Sequence, residues 1–379
     1  MLDESLLDDP DALARVDRRG LLRGAAEAGA RVRTAARYAA EAGVTELNPD
    51  GRPRAVLIAG PGTAATGVAD LVAALAGASA PVARLHSTGV APAAGALRWT
   101  LPGWAGPVDL LMIATTDGAE PGLALLAEQA YRRGVTVVAV APHGSPLSEA
   151  VDGTHGLVVP MATAPQELSE DTQAASPAAL WALFTPLLAL LDRLGLVTAP
   201  DDSLQKVADR LDRTAERCGP AVATYSNPAK TLAAELADSL PLIWTEGTTA
   251  APVGRRFAAV LAELAGRPAL AAELPEALPA HGVLLAGDFA AGADPDDFFR
   301  DRVEEAQALH TRVVLLRDRP AGALTAAPAA RELALSHDTT VSELEPQEDG
   351  SDLEAFAELL AVTDFAAVYL SLASGPRTT

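Results

Sequence analysis

The chain has 379 residues, a formal net charge of −21 and 49% hydrophobic residues, with only 4% aromatic residues. That length predicts two or three domains, and the hydrophobic fraction is typical of a folded globular protein. Because acidic residues outnumber basic residues by 50 to 29, the composition argues against nucleic acid and anionic membrane surfaces as partners. The single cysteine, Cys218, excludes an internal disulfide and is expected to be a structural thiol.

The N-terminal region predicts helices and is not expected to be a targeting signal. Acidic residues begin at Asp3, which is unlike a signal peptide, and Asp9 followed by Pro10 predicts a helix start. Apolar residues then recur at helical spacing through residues 21–40. The most apolar predicted helix, residues 177–191, is shorter than the about 20 residues that cross a bilayer. We therefore expect a cytoplasmic protein with no membrane partner.

The first half of the chain alternates predicted strands and helices. Residues 120–134 have the apolar spacing of a helix, and most of the predicted strands are continuous apolar runs, which are typical of a parallel sheet buried on both faces. The predicted strands are residues 54–60, 81–85, 108–116, 135–142 and 156–160. This alternation predicts a doubly wound parallel sheet with helices on both faces.

A second α/β region follows a candidate linker at residues 196–203. Residues 253–267 predict a helix within it, and the predicted strands are residues 241–247, 282–288, 312–318 and 339–345. We therefore predict an α/β protein with two doubly wound parallel-sheet domains, residues 1–196 and residues 197–379.

A glycine-rich turn after the first strand is the first candidate site. Gly60, Gly62 and Thr63 lie between a predicted strand and a predicted helix, where ligands of open parallel sheets bind. Three interpretations fit this turn: dinucleotide binding, phosphate binding at a helix N-terminus, and a tight turn for close packing. No acidic residue ends the next strand, and that absence disfavours a dinucleotide.

Two further segments carry candidate residues. Thr115 and Thr116 end a strand with hydroxyl groups that suit phosphate oxygens, although helix capping explains them equally well. Arg256 and Glu263 are about two turns apart on one predicted helix, and a solvated charged face is the alternative. His281 is predicted to begin the strand at residues 282–288.

The remaining histidines do not have the spacing of metal ligands, and no nucleophile motif is present. We therefore expect neither a metal nor another cofactor.

The order of these loops resembles the sugar isomerase (SIS) superfamily, and more narrowly its bifunctional phosphoglucose/phosphomannose isomerases. The glycine turn, the threonine loop and the helix with Arg256 and Glu263 are similar to the family's first loop, serine loop and catalytic helix. Pro275, Glu276 and His281 resemble its Pro-Glu-x-x-His motif with two residues inserted. Residues 363–375 resemble its closing helix.

This resemblance implies two SIS domains, a homodimer and a sugar phosphate as substrate. It implies that Glu263 moves a proton between C1 and C2 of the sugar through an enediol, after His281 helps to open the ring. Arg256 would stabilise the developing oxyanion. Gly60, Gly62, Thr63, Thr115 and Thr116 would hold the phosphate.

Two functions remain open at this point. The first is isomerisation of glucose 6-phosphate or mannose 6-phosphate to fructose 6-phosphate. The second is sugar-phosphate binding without catalysis, because the threonine loop lacks the family's serines and contains Asp117, and because no lysine lies in residues 350–364. A ligand-free dimeric scaffold is a third, less favoured interpretation.

Overall fold

Two parallel β-sheets organise the protein, one in each half of the chain. The computed structural model describes residues 3–49, 51–89, 96–162, 177–286, 310–318, 324–347 and 350–374. Contacts within the chain divide it into an N-terminal unit, residues 19–213, and a C-terminal unit, residues 1–18 and 214–379. The predicted fold class is confirmed: both sheets are parallel and carry helices on both faces.

The first helices of the chain, α1 (Glu4–Leu7) and α2 (Pro10–Val16), belong to the C-terminal unit. The backbone N–H of Asp3 donates to the Ala373 carbonyl at 3.0 Å. The Asp8 carboxylate accepts from the backbone N–H of Thr224 at 2.8 Å and from its hydroxyl at 2.9 Å. These bonds place residues 1–18 with the C-terminal unit rather than with residues 19–196.

The N-terminal unit contains a five-stranded sheet in the order β2-β1-β3-β4-β5. All five strands predicted for this half are present. Its elements, in chain order, are α3 (Leu21–Ala26), α4 (Ala28–Glu41), β1 (Val56–Ala59), α5 (Gly62–Ala76), β2 (Val82–Arg84), β3 (Leu110–Ala114), α6 (Pro121–Arg132), β4 (Thr136–Ala141), α7 (Pro146–Asp152), β5 (Leu157–Pro160) and α8 (Pro177–Arg193).

Helix α9 (Asp201–Cys218) crosses the division between the two units. In the N-terminal unit, Arg33 pairs with Asp209 at 2.6 Å and with Asp212 at 2.8 Å. In the C-terminal unit, the Tyr369 hydroxyl donates to the Cys218 carbonyl at 2.7 Å. Each end of α9 is thus anchored in a different unit, and the contacts divide the chain at residues 213/214. The domain boundary at residues 196/197 stays a prediction.

The C-terminal unit contains a four-stranded sheet in the order β7-β6-β8-β9. Its further elements, in chain order, are α10 (Pro228–Leu236), β6 (Ser239–Glu246), α11 (Ala250–Ala265), β7 (Leu270–Glu273), α12 (Ala277–Leu285), β8 (His310–Arg317), α13 (Ala327–Ser336), β9 (Val341–Leu344) and α14 (Asp352–Ala373).

One predicted strand of this unit is wrong. Residues 282–285 lie in α12, and residues 287–288 fall outside the described residues. A short apolar run cannot distinguish a buried strand from a helix by periodicity alone. The edge strand β7, which was not predicted, has the sequence Leu-Ala-Ala-Glu, and alanine and glutamate have low strand propensity.

The two faces of the second sheet are covered by different helices. A Cβ at Gly254 of α11 would lie 2.4 Å from Thr245 Cγ2, so α11 packs closely on the face that carries Thr245. Trp244, the preceding residue, points to the opposite face and packs against residues of α12 and α13. α11 and α12 therefore lie on opposite sides of this sheet.

Helix α14 is the longest apolar helix among the described residues. By length and composition it could cross a membrane, but 89% of its apolar window is buried inside the structure. Its packing within the C-terminal unit is that of a core helix.

Candidate functional site

The carboxyl ends of β1 and β3 form the ligand-binding edge expected of a doubly wound sheet in the N-terminal unit, because the strand order reverses there. A Cβ at Gly60 would lie 2.0 Å from the Ala114 carbonyl oxygen, so only glycine allows this approach of the two loops. Gly62 begins α5 with φ +79°, a conformation that favours glycine. Gly60 is thus needed for close packing, as the tight-turn interpretation predicts. This role is compatible with an anion bound at the residues that follow it.

The N-terminus of α5 offers donors to an anion. Pro61 is the N-cap residue and has no capping side chain, and no other side chain of the described residues bonds the first turn of this 15-residue helix. Gly62 is exposed and Thr63 is half-buried, so the first turn is accessible. Arg84, at the end of β2, donates from Nη2 to the Thr66 hydroxyl at 2.9 Å and brings a positive charge beside this part of α5. Free backbone N–H groups and a nearby guanidinium are the features that attract phosphate.

The threonine loop after β3 has its donors directed to its own aspartate. The buried Thr115 hydroxyl donates to Asp117 Oδ1 at 3.0 Å, and the Ala119 N–H donates to the same oxygen at 3.1 Å. The Gly118 N–H donates to the Thr115 hydroxyl at 3.1 Å. Thr116 is half-buried beside them. A phosphate at this loop would have to displace the Asp117 carboxylate.

The equivalent edge of the second sheet, between β6 and β8, was not singled out in the sequence. Asp318 follows β8, and its Oδ2 accepts from the Thr249 N–H at 2.8 Å, the Thr249 hydroxyl at 2.9 Å and the Ala250 N–H at 3.3 Å. These donors form the N-terminus of α11. A Cβ at Gly247, where φ is +113°, would lie 1.6 Å from Asp318 Oδ1, so glycine makes room for the carboxylate.

Glu246 at the end of β6 caps the other helix at this edge, α13. Its Oε1 accepts from the Ala326 N–H at 2.6 Å, and its Oε2 accepts from the Thr325 hydroxyl at 2.6 Å and from Arg317 Nε at 3.0 Å. Burial opposes the charge on Glu246, but these hydrogen bonds outweigh it and lower its pKa. The acidic residue at the carboxyl end of each strand thus caps the helix that follows the other strand.

Arg256 is buried at a helix–helix contact. Its Nη2 lies 3.3 Å from Asp364 Oδ2 on α14, and both side chains are 5% exposed. Burial raises the pKa of Asp364, and the positive charge of Arg256 opposes that shift in part. Arg256 Nε is buried without a hydrogen-bond partner among the described residues. The predicted substrate arginine is therefore a buried partner of Asp364.

Glu263 lies on the same helix but in a different environment. It is exposed to solvent, in the last turn of α11. Because β6 and β7 are parallel, α11 runs back along the sheet, and its last turn lies toward the amino ends of the strands. Glu263 is therefore far along α11 from the carboxyl edge where ligands of such sheets bind.

His281 lies in α12 rather than at the predicted start of a strand. Trp244 Nε1 donates to His281 Nδ1 at 2.9 Å, so the neutral imidazole carries its proton on Nε2. Burial lowers the pKa of His281 below its usual value, since the charged form is disfavoured there. His281 is thus held on the Trp244 face of the sheet, opposite the face that α11 covers.

The structure therefore brings Arg256 and Glu263 onto one helix and leaves His281 on the other side of the sheet. In the N-terminal unit it brings the glycine turn and the threonine loop together at one edge. Their catalytic and binding roles remain predictions. Within the described ranges, no three His, Cys, Asp or Glu side chains are placed to hold a metal ion.

Sequence reasoning missed Asp318 and Glu246 as capping residues. One signal was visible, because each residue lies at the carboxyl end of a predicted apolar strand. The partners of Arg256 and His281, which are Asp364 and Trp244, gave no comparable signal, since each pair joins elements that are distant in the chain.

Comparisons with known proteins show what the C-terminal part of the chain is similar to. Residues 225–377 match the bacterial phospho-glucose isomerase C-terminal SIS domain. The chain is also 26% identical over 173 residues to a bifunctional phosphoglucose/phosphomannose isomerase from Caldicellulosiruptor bescii. That match covers 45% of this chain and 48% of the relative, so it spans about half the length of the relative.

Solved structures share the fold over nearly the whole chain. A glucose-6-phosphate isomerase-like protein from Thermus thermophilus is 19% identical, with a TM-score of 0.53 over 97% of this chain and 92% of that one. Tagatose-6-phosphate ketose/aldose isomerase from Escherichia coli is 12% identical, with a TM-score of 0.52 over 98% of this chain and 95% of that one. The resemblance predicted from the loops is thus confirmed: the chain has the SIS fold, and its residues 225–377 are similar to the C-terminal SIS domain of bacterial phosphoglucose isomerases.

Proposed function

We propose that the protein binds a sugar phosphate in its N-terminal unit and does not isomerise it. The observation that carries this proposal is the separation of the predicted catalytic groups. His281 is bonded to Trp244 on one face of the second sheet, whereas Arg256 and Glu263 belong to the helix on the other face. A general acid and a general base must both reach one substrate, and one copy of this unit does not bring them together.

The phosphate site of the proposal is the N-terminus of α5. Its first turn has no capping side chain, and Arg84 supplies a positive charge beside it. This local attraction opposes the repulsion expected from a net charge of −21. A sugar phosphate is the ligand class implied by the SIS family.

Aldose–ketose isomerisation is the second candidate. The match of residues 225–377 favours isomerisation, because the matched domain family is named for phosphoglucose isomerases. Glu263 is exposed and therefore accessible to a substrate. A homodimer, implied by the family resemblance, remains a prediction and would offer a route to bring His281 and Glu263 of different copies together.

Two readouts on the same samples separate these functions. The protein is incubated with glucose 6-phosphate or mannose 6-phosphate, fructose 6-phosphate is followed, and the thermal midpoint is measured with and without each ligand. We expect no fructose 6-phosphate and a higher midpoint, since a ligand that binds the native state stabilises it. Arg84→Ala should reduce the rise, whereas Arg132→Ala, an exposed arginine at the end of α6, should not.

Formation of fructose 6-phosphate that disappears in Glu263→Gln would establish the isomerase instead. A midpoint that neither sugar phosphate changes, together with no turnover, would contradict both functions for these ligands.

A further inference from the structure

A second candidate site lies at the outer edge of the C-terminal sheet. A cavity of about 490 Å³ lies between β9 and α10, and β9 is the last strand of that sheet. This volume is within the range of small-molecule sites in proteins. The cavity contains none of Arg256, Glu263 and His281, and it does not include the capping residues Glu246 and Asp318.

The charges around this cavity are internally neutralised. Every charged side chain in its lining is in an ion pair: Arg217 with Glu358 at 2.7 Å, Glu235 with Arg312 at 3.4 Å, and Glu343 with Arg331 at 2.6 Å. Glu358 is nearly buried, so it holds the Arg217 guanidinium in place at the cavity wall. A site of paired charges gives no net attraction to an anion or a cation, and this favours an uncharged ligand.

Hydroxyl groups supply the remaining polarity. The Ser342 hydroxyl donates to Glu235 Oε2 at 2.5 Å and accepts from Arg312 Nε at 2.9 Å, so its position is fixed. The Thr231 hydroxyl donates to the Thr224 carbonyl at 2.8 Å, which leaves its lone pairs to accept from a ligand. Ser226 is exposed, so its hydroxyl can donate to a ligand or accept from one.

An aromatic ring flanks these groups. Tyr225 lines the cavity and is 90% exposed, while the buried Leu232 contributes apolar surface. An exposed tyrosine beside a polar cavity offers a rigid apolar face and a hydroxyl tip to a ligand. Sugar rings have the matching features, since they combine apolar C–H faces with hydroxyl groups around the rim.

We propose that this cavity binds an uncharged carbohydrate of one or two sugar rings. Tyr225 packs against a ring face, Ser226 and Thr231 hydrogen-bond its hydroxyls, and the paired charges offer no net attraction to the phosphate of a phosphorylated sugar. The site is independent of the proposed phosphate site, which lies in the N-terminal unit. The protein would thereby bind a sugar phosphate and an unphosphorylated sugar at different places.

The test uses the full chain and three probes: D-glucose, D-mannose and maltose. Binding is measured by saturation-transfer NMR and by calorimetric titration. We expect saturable binding of at least one probe, with affinity about tenfold lower in Tyr225→Ala, which corresponds to about 1.4 kcal/mol. Tyr131→Ala is the matched control, because Tyr131 is 53% exposed in the N-terminal unit. Ser226→Ala is a second variant with a small expected effect on folding, since Ser226 is exposed.

Excess glucose 6-phosphate should leave the bound neutral sugar in place. The proposal is overturned if no probe binds saturably, if Tyr225→Ala and Ser226→Ala both bind as the unchanged protein does, or if glucose 6-phosphate displaces the sugar. The sugar-phosphate proposal fails on a different result, namely the absence of stabilisation by sugar phosphates.

Discussion

At the carboxyl ends of the two sheets, a helix N-terminus faces the crevice between two neighbouring strands, yet the hydrogen bonds differ. In the N-terminal unit, α5 begins without a capping side chain from any residue that the structure describes. In the C-terminal unit, α11 is bonded by Asp318 and α13 by Glu246. The same arrangement of strands and helices thus leaves the N-terminal N–H groups of α5 accessible, whereas those of α11 and α13 are bonded to carboxylates of the protein.

This difference shows how a carboxylate of the protein can occupy the place of a bound anion at a helix N-terminus. A carboxylate that follows a strand reaches the backbone N–H groups that a phosphate would use, because both are oxygen acceptors with negative charge. Asp318 accepts from two such N–H groups and from the Thr249 hydroxyl, whereas Asp117 in the N-terminal unit bonds only its own loop. Under our proposal, the C-terminal edge is therefore structural, and the N-terminal edge is the one that takes a ligand.

The largest effect should follow from breaking the buried pair in the C-terminal unit. Arg256→Ala leaves Asp364 in a buried site without its partner, and we expect a loss of about 3–5 kcal/mol of unfolding free energy. The measurement is the urea midpoint. Arg255→Ala is the control, because its pair with Glu273 is exposed and should cost below about 1 kcal/mol.

This first result decides whether Arg256 is part of the framework. If Arg256→Ala kept the urea midpoint and abolished stabilisation by sugar phosphates, the arginine would act on the ligand and the C-terminal unit would not be purely structural.

Removing the Asp318 carboxylate should have the next largest effect. Asp318→Ala leaves three donors at the start of α11 without their acceptor, and we expect a loss of about 1–2 kcal/mol, as for other helix caps. Chemical denaturation of Asp318→Ala and Asp117→Ala in parallel makes the comparison. An equal loss in both variants would mean that the two edges do not differ.

Glu246 should make the C-terminal edge sensitive to acid. Its pKa in the folded protein is lower than its ordinary value of 4.5, so the unfolded chain takes up the proton more readily. Its contribution is therefore complete above pH 4.5 and is lost as the pH falls through the folded-state pKa. Glu246→Gln should flatten this part of the stability profile, measured by thermal midpoints between about pH 3 and pH 6 in steps of about half a unit.

Glu276→Gln is the control for that profile, because Glu276 is exposed in the same unit. If the thermal midpoint of Glu246→Gln falls on acidification as steeply as that of the unchanged protein, the ionised Glu246 does not stabilise the carboxyl edge of this sheet.

The smallest effect is expected at Asp117. Asp117→Ala removes an exposed negative charge and frees the Thr115 hydroxyl and the Ala119 N–H. We expect about a two- to fivefold gain in affinity for a sugar phosphate, with little change in stability. Calorimetric titration with mannose 6-phosphate measures it, and weaker binding in Asp117→Ala would place the Asp117 carboxylate among the groups that hold the sugar.

The sheets could be predicted from the sequence, because most strands are apolar runs with few alternatives. The prediction of a strand at residues 282–288 is wrong, because the apolar residues 282–285 are part of helix α12. The caps could not be predicted, since Thr249 and Asp318 are 69 residues apart and meet only through the parallel pairing of β6 and β8. The Trp244–His281 bond likewise depends on which face of the sheet α12 covers.

The most direct test of the account is a map of where a sugar phosphate contacts the backbone. Two-dimensional amide NMR spectra are recorded during a titration with mannose 6-phosphate. The account predicts saturable shifts at Gly62, Thr63 and Ala64, and none at Thr249 and Ala250. Shifts at Thr249 and Ala250 with Gly62 unchanged would contradict it.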